Sequence, residues 1–276
     1  MLHLGRMPCL ICTLLSLLLP GCASPNTVAN REVVSAQIPA HIKQFAFGIQ
    51  APIAQMHLSA DARSRLGLEL RNFGTAQLLP GGNLLTAAHV LDKDAQPGKK
   101  VLLLLDADYV IAEVLVRHDG RENGDWTLLR PRLWTDVAGT EPGRIQRRLA
   151  DPMRCRVRYD GDAEIPAGTR LFAFGYIFAA EMNDPDIVPI AATIVPGIAA
   201  SNLSPPGEIR MDIDVPLIVH GMSGGPIGYF DESSDTLVIV GMLKGGLRPR
   251  SAFGEQPAIE LSGERLTPAM LHAGSP

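Results

Sequence analysis

The hexapeptide Gly221-Met222-Ser223-Gly224-Gly225-Pro226 constrains this chain more than any other stretch. A serine set among glycines and a proline fits a tight turn that pushes a hydroxyl out of the surface, because glycine tolerates backbone angles and close approaches that a side chain forbids. The same turn can aim successive backbone N–H groups at one point, where an anionic oxygen would be stabilised. A serine hydroxyl is a weak nucleophile until a base takes its proton, so the stretch demands a histidine elsewhere, oriented in turn by an acid. Thr86-Ala87-Ala88-His89-Val90 offers the base, and Gly124-Asp125-Trp126-Thr127-Leu128-Leu129 offers the carboxylate. Each piece alone has a plainer reading. Ser-Gly-Gly-Pro is usually only a turn, a lone histidine is usually structural, and Asp125 fits a strand edge. Asp106, Asp108 and Asp119 compete for the acid's role, but none precedes an apolar run with paired leucines.

Of the 276 residues, 46% are hydrophobic, which supports a sizeable core and excludes wholesale disorder. The 27 glycines and 22 prolines indicate many turns, the habit of an all-β chain. The net charge is −4 and no Lys/Arg cluster marks a phosphate-tracking surface, so nucleic-acid binding is not expected. There is no His-Glu-x-x-His run and no pair of Cys-x-x-Cys runs, and neither a metal nor an organic cofactor is expected.

Residues 1–22 read as a targeting segment. Arg6 gives a positive start, and Leu10 to Leu19 is apolar apart from Thr13 and Ser16, the length of a signal-peptide core rather than of a membrane span. The segment ends in Leu19-Pro20-Gly21-Cys22, which resembles the lipobox of bacterial lipoproteins. That resemblance implies acylation of Cys22 and export to the periplasmic or outer-surface face of a bacterial membrane. Ordinary cleavage after Ala23, giving a secreted soluble chain, is the alternative. Cys9 and Cys12 would leave with the signal, so only Cys155 remains beside Cys22 and no intramolecular disulfide is expected. In Arg154-Cys155-Arg156-Val157-Arg158 the cysteine is expected on an alternating strand, as a small buried hydrophobe. Residues 23–42 are polar and small, and read as a tether.

Short apolar runs between turn signals follow. Phe45–Gln50, Phe73–Leu79, Asn83–Ala88, Lys100–Leu105, Tyr109–Arg117 and Asp125–Leu129 read as strands of a unit over 43–135, and 136–152 reads as a connection. Met153–Arg158, Thr169–Ile177, Ala191–Val195, Glu208–Asp214, Pro226–Phe230 and Thr236–Leu243 read as strands of a second unit over 153–262. A short helix at Leu266–His272 is expected inside a C-terminal tail, 263–276. The expected fold class is all-β, with two six-stranded antiparallel barrels.

Four stretches then resemble the trypsin/chymotrypsin-like serine proteases. Phe73-Gly74-Thr75-Ala76-Gln77-Leu78-Leu79, the turn Pro80-Gly81-Gly82 and Leu84-Leu85-Thr86-Ala87-Ala88-His89-Val90 are similar to that family's approach to its catalytic histidine. Asp125 opens a run similar to its aspartate motif, and Gly221 to Pro226 is similar to its nucleophile loop. Gly241-Met242-Leu243-Lys244-Gly245-Gly246 falls where the family places its substrate-aligning strand. The order His, Asp, Ser is the family's order, and the resemblance spans roughly residues 42–262. It implies a chymotrypsin-like fold with the active site between the barrels. His89 would be the general base, Asp125 its orienting acid and Ser223 the nucleophile, with the N–H groups of Gly221 and Ser223 as oxyanion hole. A polypeptide substrate and an acyl-enzyme would follow.

Departures from the digestive members are informative. Met222 stands where those enzymes carry an aspartate that captures a new N-terminus, so that ion pair is not expected. This resembles the disulfide-free bacterial branch, which includes periplasmic quality-control proteases. Leu217 stands where cleavage after Lys or Arg would need an acid. Leu217, Ile218 and Val219 favour an apolar pocket wall, whereas His220 and Lys244 would attract an acidic side chain; Gly246 completes the substrate-binding set. Few residues follow Leu261, so no appended peptide-binding domain is expected and a monomer is. The alternatives to a serine endopeptidase are a catalytically latent, protease-like binding module and an esterase using the same triad.

Overall fold

Residues alternate between interior and exterior along Lys100–Leu105, where Val101, Leu103 and Leu105 are buried and the residues between them are not. Strands of this kind close into barrels in the computed structural model, which describes residues 38–58, 68–106, 108–120, 124–132, 143–177, 191–203, 207–217, 220–247 and 258–272. Helix α1 (Ala40–Ile49) leads into β1 (Gln50–Leu58), β2 (Leu68–Leu78), β3 (Leu84–Thr86), β4 (Lys100–Leu105), β5 (Asp108–Gly120) and β6 (Gly124–Arg132). These six form a closed antiparallel barrel in the order β1-β2-β3-β6-β5-β4, with β1 pairing β4 to complete the wall.

Helix α2 (Arg144–Leu149), a 3₁₀ turn (Pro152–Arg156) and β7 (Val157–Tyr159) lead to β8 (Arg170–Ile177), β9 (Ala191–Ala199), β10 (Glu208–Leu217), β11 (Pro226–Asp231), β12 (Thr236–Leu247) and β13 (Ala258–Arg265). The last six close a second antiparallel barrel, β11-β8-β9-β10-β13-β12, through the β11–β12 pairing. Strand β7 lies outside it, parallel to the start of β12, on the side that β13 has left by Gly241. Helix α3 (Pro268–His272) ends the described chain. The expected all-β class and paired six-stranded barrels, the chymotrypsin-like architecture, are what the chain builds.

Several local expectations are corrected. Phe45–Gln50 is not a strand: Ile42, Phe45, Ala46 and Ile49 are buried at helical spacing, so Phe45–Ile49 is the second half of α1 and only Gln50 opens β1. Its burial also moves the end of the expected tether 23–42 inward, since Ile38 and Ile42 belong to the core. The strand expected over Met153–Arg158 starts only at Val157. Before it, Asp151 caps a 3₁₀ turn by accepting the Met153 N–H at 2.9 Å, and Pro152 sets the first turn. Cys155 therefore sits on that turn, exposed, with its thiol donating to the Pro152 carbonyl at 3.0 Å, rather than buried on a strand. The tail expected over 263–276 is structural through 272: β13 extends to Arg265, and Leu266 and Met270 are buried. The segment 1–22, Cys22 and most of the tether lie outside the described residues.

One core cluster fills the first barrel and runs on into the junction, joining Ile42, Phe45 and Leu103 to Phe172, Met242 and Met270; a second, around Leu171, Met211 and Val240, fills the second barrel. Arginines from the connection lock the junction. Arg148, nearly fully buried, donates from Nε to Asp106 Oδ2 at 2.6 Å and from Nη2 to Asp106 Oδ1 at 2.8 Å. It also reaches the carbonyls of Phe47 and Gln50 and the hydroxyl of Tyr176 in the second barrel. Its guanidinium lies 4.5 Å from the Phe47 ring centre. Arg154 holds the carbonyls of Gly48, Leu78 and Leu79. Removing one partner of a buried, hydrogen-bonded ion pair strands the other, so Arg148→Met is expected to lower the unfolding free energy by about 3 kcal/mol. Asp106→Asn, which keeps an acceptor, should cost less. Guanidinium unfolding of the three chains, read by near-ultraviolet dichroism, measures the order.

Candidate active site at the junction of the barrels

The register of the first barrel brings His89 to Asp125. Strand β3 pairs with β6 so that Thr86 faces Thr127. The chain leaves β3 at Thr86 and turns through a 3₁₀ segment, Ala88–Val90, whose outer residues are buried while the His89 side chain is 49% exposed. Asp125 lies two residues before Thr127, at the same end of β6. Its Oδ2 stands 2.5 Å from His89 Nδ1, and its Oδ1 accepts the His89 backbone N–H at 3.1 Å. One carboxylate thus holds both the imidazole and its main chain. Burial pushes the Asp125 carboxyl upward, but the hydrogen bond and charge of His89 outweigh it and hold it below the ordinary aspartate value. An ionised carboxylate against Nδ1 makes that nitrogen the donor and leaves Nε2 as the free acceptor. The competing acids are engaged elsewhere: Asp106 with Arg148, Asp108 with the Arg144 N–H, and Asp119 with Arg117.

The second barrel presents Ser223, and Thr75 of β2 grips its loop. Thr75 N–H donates to the Ser223 carbonyl at 2.8 Å, and Thr75 Oγ1 donates to the Gly221 carbonyl at 2.9 Å. The same hydroxyl accepts the Tyr176 N–H at 2.9 Å, while Thr86 Oγ1 donates to the Thr75 carbonyl at 2.8 Å. Gly224, at φ +90°, lies so close to this point that a Cβ there would collide with the Thr75 carbonyl and the Thr86 hydroxyl. The loop is also tied to β12, with Gly224 N–H donating to the Leu243 carbonyl and Leu243 N–H to that of Gly225, both at 2.7 Å. Ser223 Oγ donates to the Lys244 carbonyl at 3.1 Å. Among the described residues, the N–H groups of Gly221 and Ser223 donate to no protein acceptor.

The remaining expected positions fare unevenly. Leu217 ends β10 with its backbone paired to Ala258, and Ile218 and Val219 lie outside the described residues. His220 is exposed and meets the Phe73 ring edge-on, 6.1 Å between centres. Gly246 pairs with Leu261 on β13. Lys244 turns its ammonium toward Glu264 Oε2, 3.9 Å away, so the reading in which it attracts an acidic substrate side chain must compete with an acid of the chain itself. Met222 is fully buried in the core of the second barrel, packed against Gly175. Two residues that matter to the site carry no role in the sequence reading. Thr75 stands inside the recognised approach to His89, and Glu264 stands in the segment taken for a tail; polar residues at those places carry no signal until the barrels are docked. Among the described residues, no group of three or more His, Cys, Asp or Glu side chains could hold a metal ion.

No family model matches the chain, and no curated protein matches it. Among solved structures, the active form of the Rv3671c protease from M. tuberculosis is similar over 100% of this chain and 96% of its own, at 13% identity and a TM-score of 0.47. A likeness of that size assigns no chemistry to any residue of this chain.

Thr75→Val keeps the volume but removes the hydroxyl, leaving the buried Gly221 carbonyl and Tyr176 N–H without partners. It is expected to cost about 2 kcal/mol of stability and to loosen the Ser223 loop, whereas Thr75→Ser should retain both bonds. Thermal unfolding of the pair, with amide exchange read at Gly221 to Gly225, distinguishes the two.

Proposed function

We propose that the chain is a serine endopeptidase working through His89, Asp125 and Ser223. The observation that carries the reading is the two-point hold of Asp125 on His89, at 2.5 Å and 3.1 Å, on the barrel that faces the Ser223 loop. In this reading the Ser223 hydroxyl leaves the Lys244 carbonyl by rotation about its χ1, and its proton passes to His89 Nε2 as Oγ bonds to the substrate carbonyl carbon. Resting hydrogen bonds of this kind often form fully only with substrate bound. Asp125 holds the tautomer and stabilises the imidazolium. The unclaimed N–H groups of Gly221 and Ser223 stabilise the oxyanion, each contributing on the order of 3 kcal/mol at the transition state. The imidazolium then returns the proton to the leaving amine, and water repeats the sequence on the acyl-enzyme.

The Lys244 carbonyl and the rest of Lys244–Gly246 would align an extended polypeptide by main-chain hydrogen bonds. Export and a lipid anchor at Cys22 belong to the same proposal on the strength of the motif at Leu19–Cys22 alone. Replacing Cys22→Ser should abolish incorporation of labelled palmitate and release the chain from the membrane fraction.

The deciding experiment is labelling by a fluorophosphonate probe together with cleavage of an unstructured protein. Both are expected in the parent chain and absent in Ser223→Ala and His89→Ala. Asp125→Asn, which favours the wrong tautomer, should slow cleavage on the order of 10⁴-fold. Labelling without protein cleavage, but with ester hydrolysis, would move the reading to an esterase. A folded parent chain that resists the probe would make it a latent module whose Ser223 stays on Lys244.

A further inference from the structure

Glu264 lies beneath the His89–Asp125 pair and has no part in the chemistry above. It comes from β13, in the second barrel, yet its Oε2 accepts the backbone N–H of Asp125 in the first barrel at 2.9 Å. Its side chain is 19% exposed, and the Lys244 ammonium stands 3.9 Å from the same oxygen. The approach is close enough that a Cβ at Gly124 would collide with the Glu264 carboxylate, and Gly124 stands at φ +88°. Glycine is required there twice over, for the backbone angle and for room. The charged and titratable groups facing Glu264 are Asp125 on β6, His118 on β5 and Lys244 on β12. Glu208 is its register partner on β10, 3.7 Å from Arg210.

We propose that Glu264 is the positioning residue of this site: from the opposite barrel it fixes the backbone of Asp125 and, with Lys244, sets the charge in which the Asp125–His89 pair works. The proposal rests on the serine-hydrolase reading. Asp125 holds His89 at two points, and a shift of its main chain would disturb both. An ionised acceptor binds an N–H more strongly than a neutral one. Burial pushes the Glu264 carboxyl above the ordinary glutamate value, more than the Asp125 N–H and Lys244 pull it down. As pH falls through that raised value the contact loses its charge, while Lys244 keeps its own.

Glu264→Gln imitates the protonated state at nearly constant volume, and Glu264→Ala removes the contact. The readout is the second-order rate of fluorophosphonate labelling, followed from neutral to acid pH. At neutral pH the Gln variant is expected to label about tenfold more slowly than the parent, and the Ala variant more slowly still. The ratio of parent to Gln should shrink toward one as pH falls, because the parent becomes what the variant already is. A ratio independent of pH, or a lower melting temperature with unchanged labelling, overturns the proposal. A second readout needs no activity: the His89 Nδ1–H proton resonance should be sharp in the parent and broadened by exchange in both variants. An unchanged resonance overturns the proposal too. If the probe never labels the parent chain, the hydrolase reading fails by itself, and the resonance decides whether Glu264 holds Asp125.

Discussion

Four hydrogen bonds at Thr75 hold the candidate site together. This one buried residue of the first barrel grips the Ser223 loop at two carbonyls, takes an N–H from β8 through its hydroxyl, and is itself gripped by Thr86 three residues before His89. Each bonded group at the point has its partner, and Thr75 and Thr86 are fully buried. Low local polarity makes such bonds worth more than they would be at a surface, and makes the loss of any one expensive. The strand that leads to His89 and the loop that carries Ser223 are therefore parts of one polar knot. The glycines around it follow from that: where two backbones must approach across a barrel junction, there is no space for side chains.

The junction is otherwise held by apolar packing and by arginines used as multi-toothed donors. Arg148 spans α2, α1, the first barrel and Tyr176 of β8, and Arg154 collects three carbonyls, from Gly48 of α1, Leu78 of β2 and Leu79 just after it. Arg265 does the same inside the second barrel, where it donates to carbonyls of Gly161, Ala163 and Leu203. A planar guanidinium suits this use because several fixed donors can satisfy several carbonyls at once. With Cys155, the cysteine among the described residues, unpaired, the junction relies on such points to fix the angle between two barrels that hydrophobic contact alone would leave free to slide.

Much of this was legible in the sequence where the signal is local. The apolar run Lys100–Leu105 is a strand with the expected bounds, and only its burial in the structure alternates. The turn chemistry at Pro80-Gly81-Gly82 and the Gly221–Pro226 loop likewise depend on residues next to one another. What failed was nonlocal or half seen. Phe45–Gln50 covers fewer than two helical turns, so the spacing that identifies α1 needs Ile42 as well. In β13 the alternation is carried by Glu260, Ser262 and Glu264 against Leu261 and Gly263, too polar to stand out, and the strand is recognised by its partners β10 and β12 rather than by its own residues. Cys155 was misplaced because a capping aspartate and a proline outweigh the alternation that follows them.

The two halves of the candidate site differ in what they depend on. His89 and Asp125 meet through the pairing of β3 with β6, inside one barrel, and that register persists however the barrels are docked. Ser223, the Gly221 carbonyl and the Lys244 carbonyl reach their places only through contacts that cross the junction or belong to the second barrel. Small changes in docking therefore act on Ser223 and on the N–H groups beside it, and leave His89 and Asp125 paired. The exception is the Asp125 main chain, which the second barrel touches through Glu264. Under the proposed function, a polypeptide bonded to β12 would meet both the Lys244 carbonyl that accepts from Ser223 Oγ and the ammonium beside Glu264, so that its binding and release of the Ser223 hydroxyl would be linked through a single residue of β12.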